Sequence, residues 1–265
     1  MTRWAAGLEY DGAAFCGWQS QRDKCGAQDA LQHALMTLNK EPLVVHAAGR
    51  TDAGVHASMQ IAHFDSDKEY PASVWVRAAN ARLPKAIRVL WVREVSDDFH
   101  ARYSAARRYY RYWVMNQPIA SAILRGFCAC YDAPLAEESM NDAAKRLLGQ
   151  HDFSAFRAAA CQAKTPVRTM FEVSVVRHGG LLMLDFCASG FLQHMARNIT
   201  GVLLEIGCGR RSPEWIDELL SGKDRTKAAK TAPAKGLCFC GAEYPEHFGL
   251  TQTKRNVGFE ITHRP

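Results

Sequence analysis

The chain has 265 residues, 48% hydrophobic and 23% charged, which is enough for one large domain or two modest ones and unlike the composition of a disordered protein. Its formal net charge of +6 favours a polyanionic partner, and it holds no apolar run long enough to span a bilayer. The opening residues MTRWAAGLEYDG lack a long apolar core followed by a cleavage site, so secretion is not expected. In chain order, residues 3–10 read as a strand. AQDALQHALMTLNK (27–40) reads as a helix with Leu31, Ala34, Leu35 and Leu38 at helical spacing. LVVHAA (43–48) predicts a strand, AAGRTDAGVHA (47–57) a loop of small residues, and QIAHFDS (60–66) a further strand. VWVRAANARLP (74–84) predicts a short helix closed by Pro84, and IRVLWVREVS (87–96) a strand. The succession strand, helix, strand, strand, helix, strand is the split βαβ pattern of a ferredoxin-like α+β unit.

DDFHARYSA (97–105) is polar and reads as a crossover. The second half opens on an aromatic strand, ARRYYRYWVMN (106–116), followed by helical spacing in LAEESMNDAAKRLLG (135–149). FEVSVVRHGG and LLMLDFCASG are joined at Gly179-Gly180, a hairpin signal. FLQHMARNITGVLLEIG (191–207) places Leu192, Met195, Ala196, Ile199, Val202, Leu203 and Ile206 on one helical face. PEWIDELLSG (213–222) predicts a short helix and GLCFCGAEYP (236–245) a last strand. The expectation is an α+β protein of two related halves, 1–103 and 104–245, with antiparallel sheets and a cleft between them. No strict repeat is visible. The segment 221–236 is rich in Lys and Ala; such a run is ordinarily solvated, though it could touch phosphates. The tail 246–265 has no clear period.

Nine cysteines are scattered, without the C-x-x-C or Cys/His quartet that zinc requires. Reduced thiols in a cytoplasmic protein are expected. The pairs Cys128/Cys130 and Cys238/Cys240 sit two apart, which in a strand is one face, and so read as small core residues. The NIT triplet at Asn198 reads as a chance glycosylation pattern. There is no G-x-x-x-x-G-K-[ST] loop, no H-E-x-x-H and no G-x-S-x-G around Ser58, and GCG (207–209) is followed by Arg-Arg-Ser rather than the rest of a dinucleotide fingerprint.

The loop RTDAG (50–54) has a plain reading as turn chemistry, with Asp52 bonding nearby backbone and Gly54 supplying a positive φ. It also has a chemical reading. Arg50 would hold the Asp52 carboxylate ionised, and the small neighbours would leave space above it for a nucleophile or general base to act. Asp52 and His56 are four apart, but Gly54 argues against the helix that would align them. In RRYYRYW, Arg108, Tyr110 and Tyr112 share one strand face and Arg107, Tyr109, Arg111 and Trp113 the other. That pattern fits an aromatic sheet edge with arginine stems packed on rings. It fits equally an RNA-stacking and phosphate-binding surface. Arg197 falls opposite the apolar stripe of its helix, which by position alone suggests a solvated arginine, and GWQSQ (17–21) is a polar loop without a motif.

Together, AGRTDAGVHA (48–57), FHARYSA (99–105), YYRY (109–112), GQHDFSAF (149–156), GFLQHMARNITG (190–201), TAPAKGL (231–237) and the closing YP (244–245) resemble, in order and over nearly the full length, the TruA family of tRNA pseudouridine synthases. The resemblance implies a pseudouridine synthase fold with a central cleft and a homodimer without a cofactor. It implies that the substrate is the anticodon stem-loop of tRNA, with uridines at tRNA positions 38, 39 and 40 isomerised. It makes Asp52 the catalytic carboxylate, Arg197 the cation that orients it, and Tyr110 the aromatic that packs on the target base. Arg50 would hold the flipped nucleotide or fill its vacated place. Two other readings stand beside this one: a non-catalytic RNA-binding module, which has no need of Asp52, and an acid-metal nuclease, which needs further carboxylates that the loop does not offer.

Overall fold

The computed structural model describes residues 1–251 and 253–255, so the tail 246–265 lies partly outside the described residues. In the N-terminal half the elements are β1 (Thr2–Tyr10), α1 (Ala27–Asn39), β2 (His46–Ala47), β3 (His56–Ser66), α2 (Ala72–Arg82) and β4 (Ile87–Val95). β4 pairs β1, β1 pairs β3 and β3 pairs β2, all antiparallel. β3 is buried along nearly its whole length, as a strand covered on both faces must be. The indole of Trp75 on α2 packs edge-on against Phe64 of β3 and tilts against Trp4 of β1.

The second half comprises β5 (Arg107–Asn116), β6 (Ala129–Tyr131), α3 (Glu137–Lys145), β7 (Gly149–Asp152), β8 (Val167–His178), β9 (Leu181–Ala188), α4 (Met195–Gly207), α5 (Trp215–Gly222) and β10 (Leu237–Glu243). Its long strands lie in the order β10-β5-β9-β8. Numbered within their own halves, β1–β4 and β5, β8, β9, β10 share one arrangement, fourth-first-third-second. The α+β expectation of two largely antiparallel halves is therefore met, and the halves are continuous. β10 pairs antiparallel with β5 and, in parallel, with the start of β3 at Cys238↔His56 and Phe239↔Ala57, which closes one ten-stranded sheet. Among the described residues no helix is long and apolar enough to cross a membrane.

Several local expectations are corrected. LVVHAA yields a strand of only two residues, because α1 takes the neighbouring carbonyls: Gln28 Nε2 donates to Val45 O at 2.9 Å and Gln32 Nε2 to Leu43 O at 3.3 Å. The helix expected from 191 begins at Met195, because His194 adopts a left-handed conformation with φ of 64°. The thiols are not all reduced: Cys16 and Cys25 form a disulfide with their Cα atoms 5.4 Å apart. They stand nine positions apart in sequence, but the loop doubles back so that Cys16 N donates to Cys25 O at 3.0 Å. Cys238, Cys240 and Cys128 are buried as expected, whereas Cys130 is exposed, since β6 is a short strand at the edge of β5.

The segment 221–236 keeps its lysines exposed but turns Arg225 and Thr231 inward. Both donate to Oδ1 of the buried Asn198, at 3.0 and 2.6 Å, and Asn198 Nδ2 donates to Phe156 O at 2.7 Å. The segment lies so close to α4 that a Cβ on Gly201 would stand 2.1 Å from Lys230 O. Burial of Asn198 agrees with the NIT triplet being chance.

Candidate active site

Asp52 sits just ahead of β3, where the parallel contact with β10 joins the two halves. Its loop is held by backbone and core, not by bulk. Thr51 is pinned from two sides: Trp18 N donates to its carbonyl at 3.0 Å, and its hydroxyl lies 2.8 Å from Tyr10 Oη. Gln60 Nε2 donates to Gly49 O at 2.8 Å. Gly17, at φ of 95°, lets the GWQSQ loop approach; a Cβ there would lie 2.7 Å from Thr51 O. GWQSQ thus has a role that its sequence alone did not disclose, as the brace beneath the Asp52 loop. Asp52 does turn the chain, with Val55 N donating to its carbonyl at 3.1 Å and Gly54 at φ of 79°. Its carboxylate is left free of the turn.

That carboxylate meets α4. Arg197 Nη1 donates to Asp52 Oδ2 at 2.9 Å, while Arg197 Nε donates to Ala232 O at 2.9 Å. Two bonds from one planar guanidinium fix its orientation. The solvated reading of Arg197 is therefore overturned: the apolar stripe of α4 packs into its own half, and the opposite face looks across the seam. Arg50 is also corrected in one respect. Among the described residues it makes no ion pair with Asp52; it is exposed at the wall of the cleft. Pinning of the intervening Thr51 into the core separates the two side chains. His194, which the sequence reading did not single out, lies one turn before Arg197, with Nε2 3.5 Å from the same Asp52 Oδ2. Its only sequence signal was its place three residues before Arg197 in HMAR, at the N-terminal end of the helix that carries Arg197.

Tyr110 lies on β5 opposite Phe239 of β10 and Phe186 of β9. Its ring packs edge-on against Phe191 at 4.7 Å and Phe239 at 5.0 Å, and a Cβ on Gly49 would stand 3.7 Å from its hydroxyl. Burial pushes the Tyr110 hydroxyl far above the usual phenol range, with the nearby Asp52 carboxylate adding to the effect, so it stays protonated. The rest of RRYYRYW is not an open RNA-stacking surface. Arg111 is paired with Asp185 at 2.6 Å, Arg107 lies over Phe171 at 4.6 Å, and Tyr112 is buried with its hydroxyl donating to Pro233 O at 2.8 Å. Arg108 is drawn inward and donates to Ala48 O, Ala105 O and Ser189 O, and also to Arg102 O, which ties the Asp52 loop, the crossover and β9 together. His56 points away from Asp52: its Nδ1 accepts from the buried Gly12 N at 3.1 Å, and its Nε2 lies 2.9 Å from Gly126 O.

Asp52, Arg50, Tyr110 and His194 line one cleft of about 1540 Å³, larger than the roughly 300–1,000 Å³ typical of small-molecule pockets. Arg50, Arg102, Arg108 and Arg168 line it, and Asp52 is its one carboxylate among the described residues. An isolated anion in a basic groove suits a long anionic ligand with a single reacting centre. Among the described residues no three His, Cys, Asp or Glu side chains cluster as a metal site.

A family profile described as tRNA pseudouridine synthase matches residues 6–104 and 143–245. The chain is 48% identical over 259 residues to a Thiobacillus denitrificans protein named tRNA pseudouridine synthase A, covering 98% of this chain and 100% of that one. Proteins of the same name match at 48% identity from Methylobacillus flagellatus, over 98% of this chain and 99% of that one, and from Chromobacterium violaceum, over 94% and 95%.

Proposed function

The chain belongs to the TruA family of tRNA pseudouridine synthases, and from that premise we propose that it isomerises uridine to pseudouridine at positions 38, 39 and 40 of the tRNA anticodon stem-loop, with Asp52 as the catalytic carboxylate. The observation that carries this reading is the contact across the seam: the only carboxylate lining the cleft among the described residues, held at 2.9 Å by Arg197 and bordered by Tyr110.

The reaction breaks the N–C glycosidic bond of a uridine and forms a C–C bond from the same sugar to C5 of the same base. It is redox-neutral and imports no group, so this chemistry calls for no cofactor. The carboxylate begins it by attacking the base, attacking the sugar, or abstracting a sugar proton. Each route uses the charged form of Asp52, aimed by Arg197. The target uridine leaves its stack at a cost of a few kcal/mol. Tyr110, apolar in its ring and protonated at its hydroxyl, receives the base. Arg50, exposed at the cleft wall, holds the flipped nucleotide or occupies the place it vacates. The arginines of the cleft supply affinity through phosphates. The protein acts in the cytoplasm as a homodimer, which predicts a sedimentation mass twice that of the chain.

The deciding assay uses tRNA tritiated at uridine C5, since the new C–C bond displaces that hydrogen. Wild-type protein releases tritium. Asp52→Asn keeps its fold and its RNA affinity and loses release by at least about 1,000-fold. A wild-type protein that binds unmodified tRNA without releasing tritium defeats the proposal.

A further inference from the structure

A second group of rings lines the cleft away from Asp52 and plays no part in the chemistry above. His46 on β2 stands directly across from His63 on β3, their rings stacked with centroids 5.0 Å apart. His100, from the crossover, meets both, at 5.2 Å from His46 and edge-on at 4.6 Å from His63. Tyr103 then lies on His100 at 4.3 Å. His63 is buried, whereas Tyr103 is 76% exposed. His46, His100 and Tyr103 face the same cavity as Asp52, Arg50 and Tyr110.

The ladder is fixed in place before any ligand arrives. His63 Nδ1 accepts from Ala101 N at 3.1 Å, and His100 Nδ1 accepts from Arg102 N at 3.1 Å and Tyr103 N at 3.3 Å. Ser104 Oγ accepts from His100 N at 2.9 Å and closes the turn. A nitrogen that accepts these bonds carries no proton. Burial takes His63 down to about 3, with His100 and His46 opposing its charge as well, and burial lowers His100 in the same direction. Both are therefore neutral imidazoles at pH 7. Neutral rings at His63 and His100 are unsuited to holding a phosphate and suited to a flat, uncharged π-face. The phosphates have their own partners nearby: Arg102 lies 5.6 Å from the Tyr103 ring centroid, and Arg50 and Arg168 stand on the cleft walls.

We propose that Tyr103, backed by His100 and His46, is a stacking shelf for an unpaired base next to the target uridine in the RNA loop. The ligand class is a single-stranded nucleobase attached to a phosphate backbone. A large exposed tyrosine in a basic cleft, with an ordered aromatic ladder beneath it, has an exposed face complementary to a base and costs little ordering entropy on binding. The inference rests on the reading of the cleft as a uridine-isomerising site, and it adds a second point of attachment. Removal of one nucleotide from its helix exposes its neighbour, and the shelf receives that neighbour.

The test uses the full chain and an anticodon stem-loop RNA tritiated at uridine C5. A second copy of the RNA carries the fluorescent base 2-aminopurine at each position flanking the target in turn. The shelf predicts quenching of 2-aminopurine at one flanking position on binding. Tyr103→Ala abolishes that quenching and raises KM about tenfold, with kcat changed by less than threefold. Tenfold corresponds to about 1.4 kcal/mol, within the roughly 1–3 kcal/mol of one stacked base. Tyr103→Phe restores both quenching and KM, which a lost hydroxyl contact would not allow. If wild-type protein releases tritium and Tyr103→Ala leaves KM and quenching intact, the shelf is refuted and uridine isomerisation stands. If wild-type protein releases none yet quenches the probe through Tyr103, isomerisation is refuted and the shelf stands.

Discussion

Asp52 and Arg197 lie 145 residues apart and meet through a single carboxylate oxygen. Arg197 is suited to this because its planar fork serves Asp52 and Ala232 O at once. An ammonium cannot hold both in a fixed geometry. Arg197→Lys is expected to lower kcat about 100-fold, the order found when one preorganised donor is removed from a reacting centre, with RNA affinity little changed. Single-turnover tritium release separates the two. A second residue-scale expectation concerns stability. His63 is held to about 3 in the folded protein against an ordinary 6.5, so between those values the unfolded chain binds a proton that the folded chain does not. Stability therefore falls as pH falls from 6.5 towards 3, by up to about 1.4 kcal/mol per pH unit. Urea unfolding of wild type and His63→Phe between pH 7 and pH 5 measures it, with the variant showing the flatter dependence.

At the scale of elements, long periodic segments were legible and short or tertiary ones were not. α1, α2, the β8–β9 hairpin and β10 follow from spacing, because their buried residues recur at the period of the element itself. β2 shrank because the side chains of Gln28 and Gln32 claimed carbonyls that a longer strand would have paired. β6 and β7, at three and four residues, exist only because a longer neighbour pairs with them. Helix α4 shows the same contrast within one element. Its apolar stripe was read correctly from the sequence, yet Gly201, on the other face beside Arg197, is explained only by the segment that crosses that face. Glycine to alanine inside a helix ordinarily stabilises by up to about 1 kcal/mol. Here the sign reverses, because the added Cβ would stand 2.1 Å from Lys230 O. Gly201→Ala is expected to destabilise by about 1–3 kcal/mol, read as a lower urea midpoint. It should also weaken activity, since Arg197 is tied to the crossing segment there: its Nε donates to Ala232 O and its carbonyl accepts from Ala232 N.

On the scale of the whole molecule, the two halves repeat one strand order without a matching repeat in sequence, and the cleft opens at their seam. Arg108 spans that seam by donating to carbonyls from both halves. The other cleft arginines, Arg50, Arg102 and Arg168, are placed to meet phosphates. If three such contacts form, the logarithm of the RNA association constant falls with the logarithm of salt concentration at a slope of about −2 to −3. Titration between 50 and 300 mM salt measures the slope, and Arg102→Gln should make it shallower by about one.

Local patterns by themselves determined the class of elements, the α+β organisation and the carboxylate-bearing loop, because hydrophobic period, glycine placement and turn chemistry act over a few residues. The motifs of the chain also carried its family. The family motif named Arg197 as the partner of Asp52 where the local loop pattern named Arg50, and only the tertiary structure showed that Arg197 makes the contact, that His194 joins it, that most of RRYYRYW is consumed by internal pairs, and that His46, His63, His100 and Tyr103 form one ladder. Those outcomes depend on which strand lies beside which. That is set by packing between segments far apart in sequence, where no local period reaches.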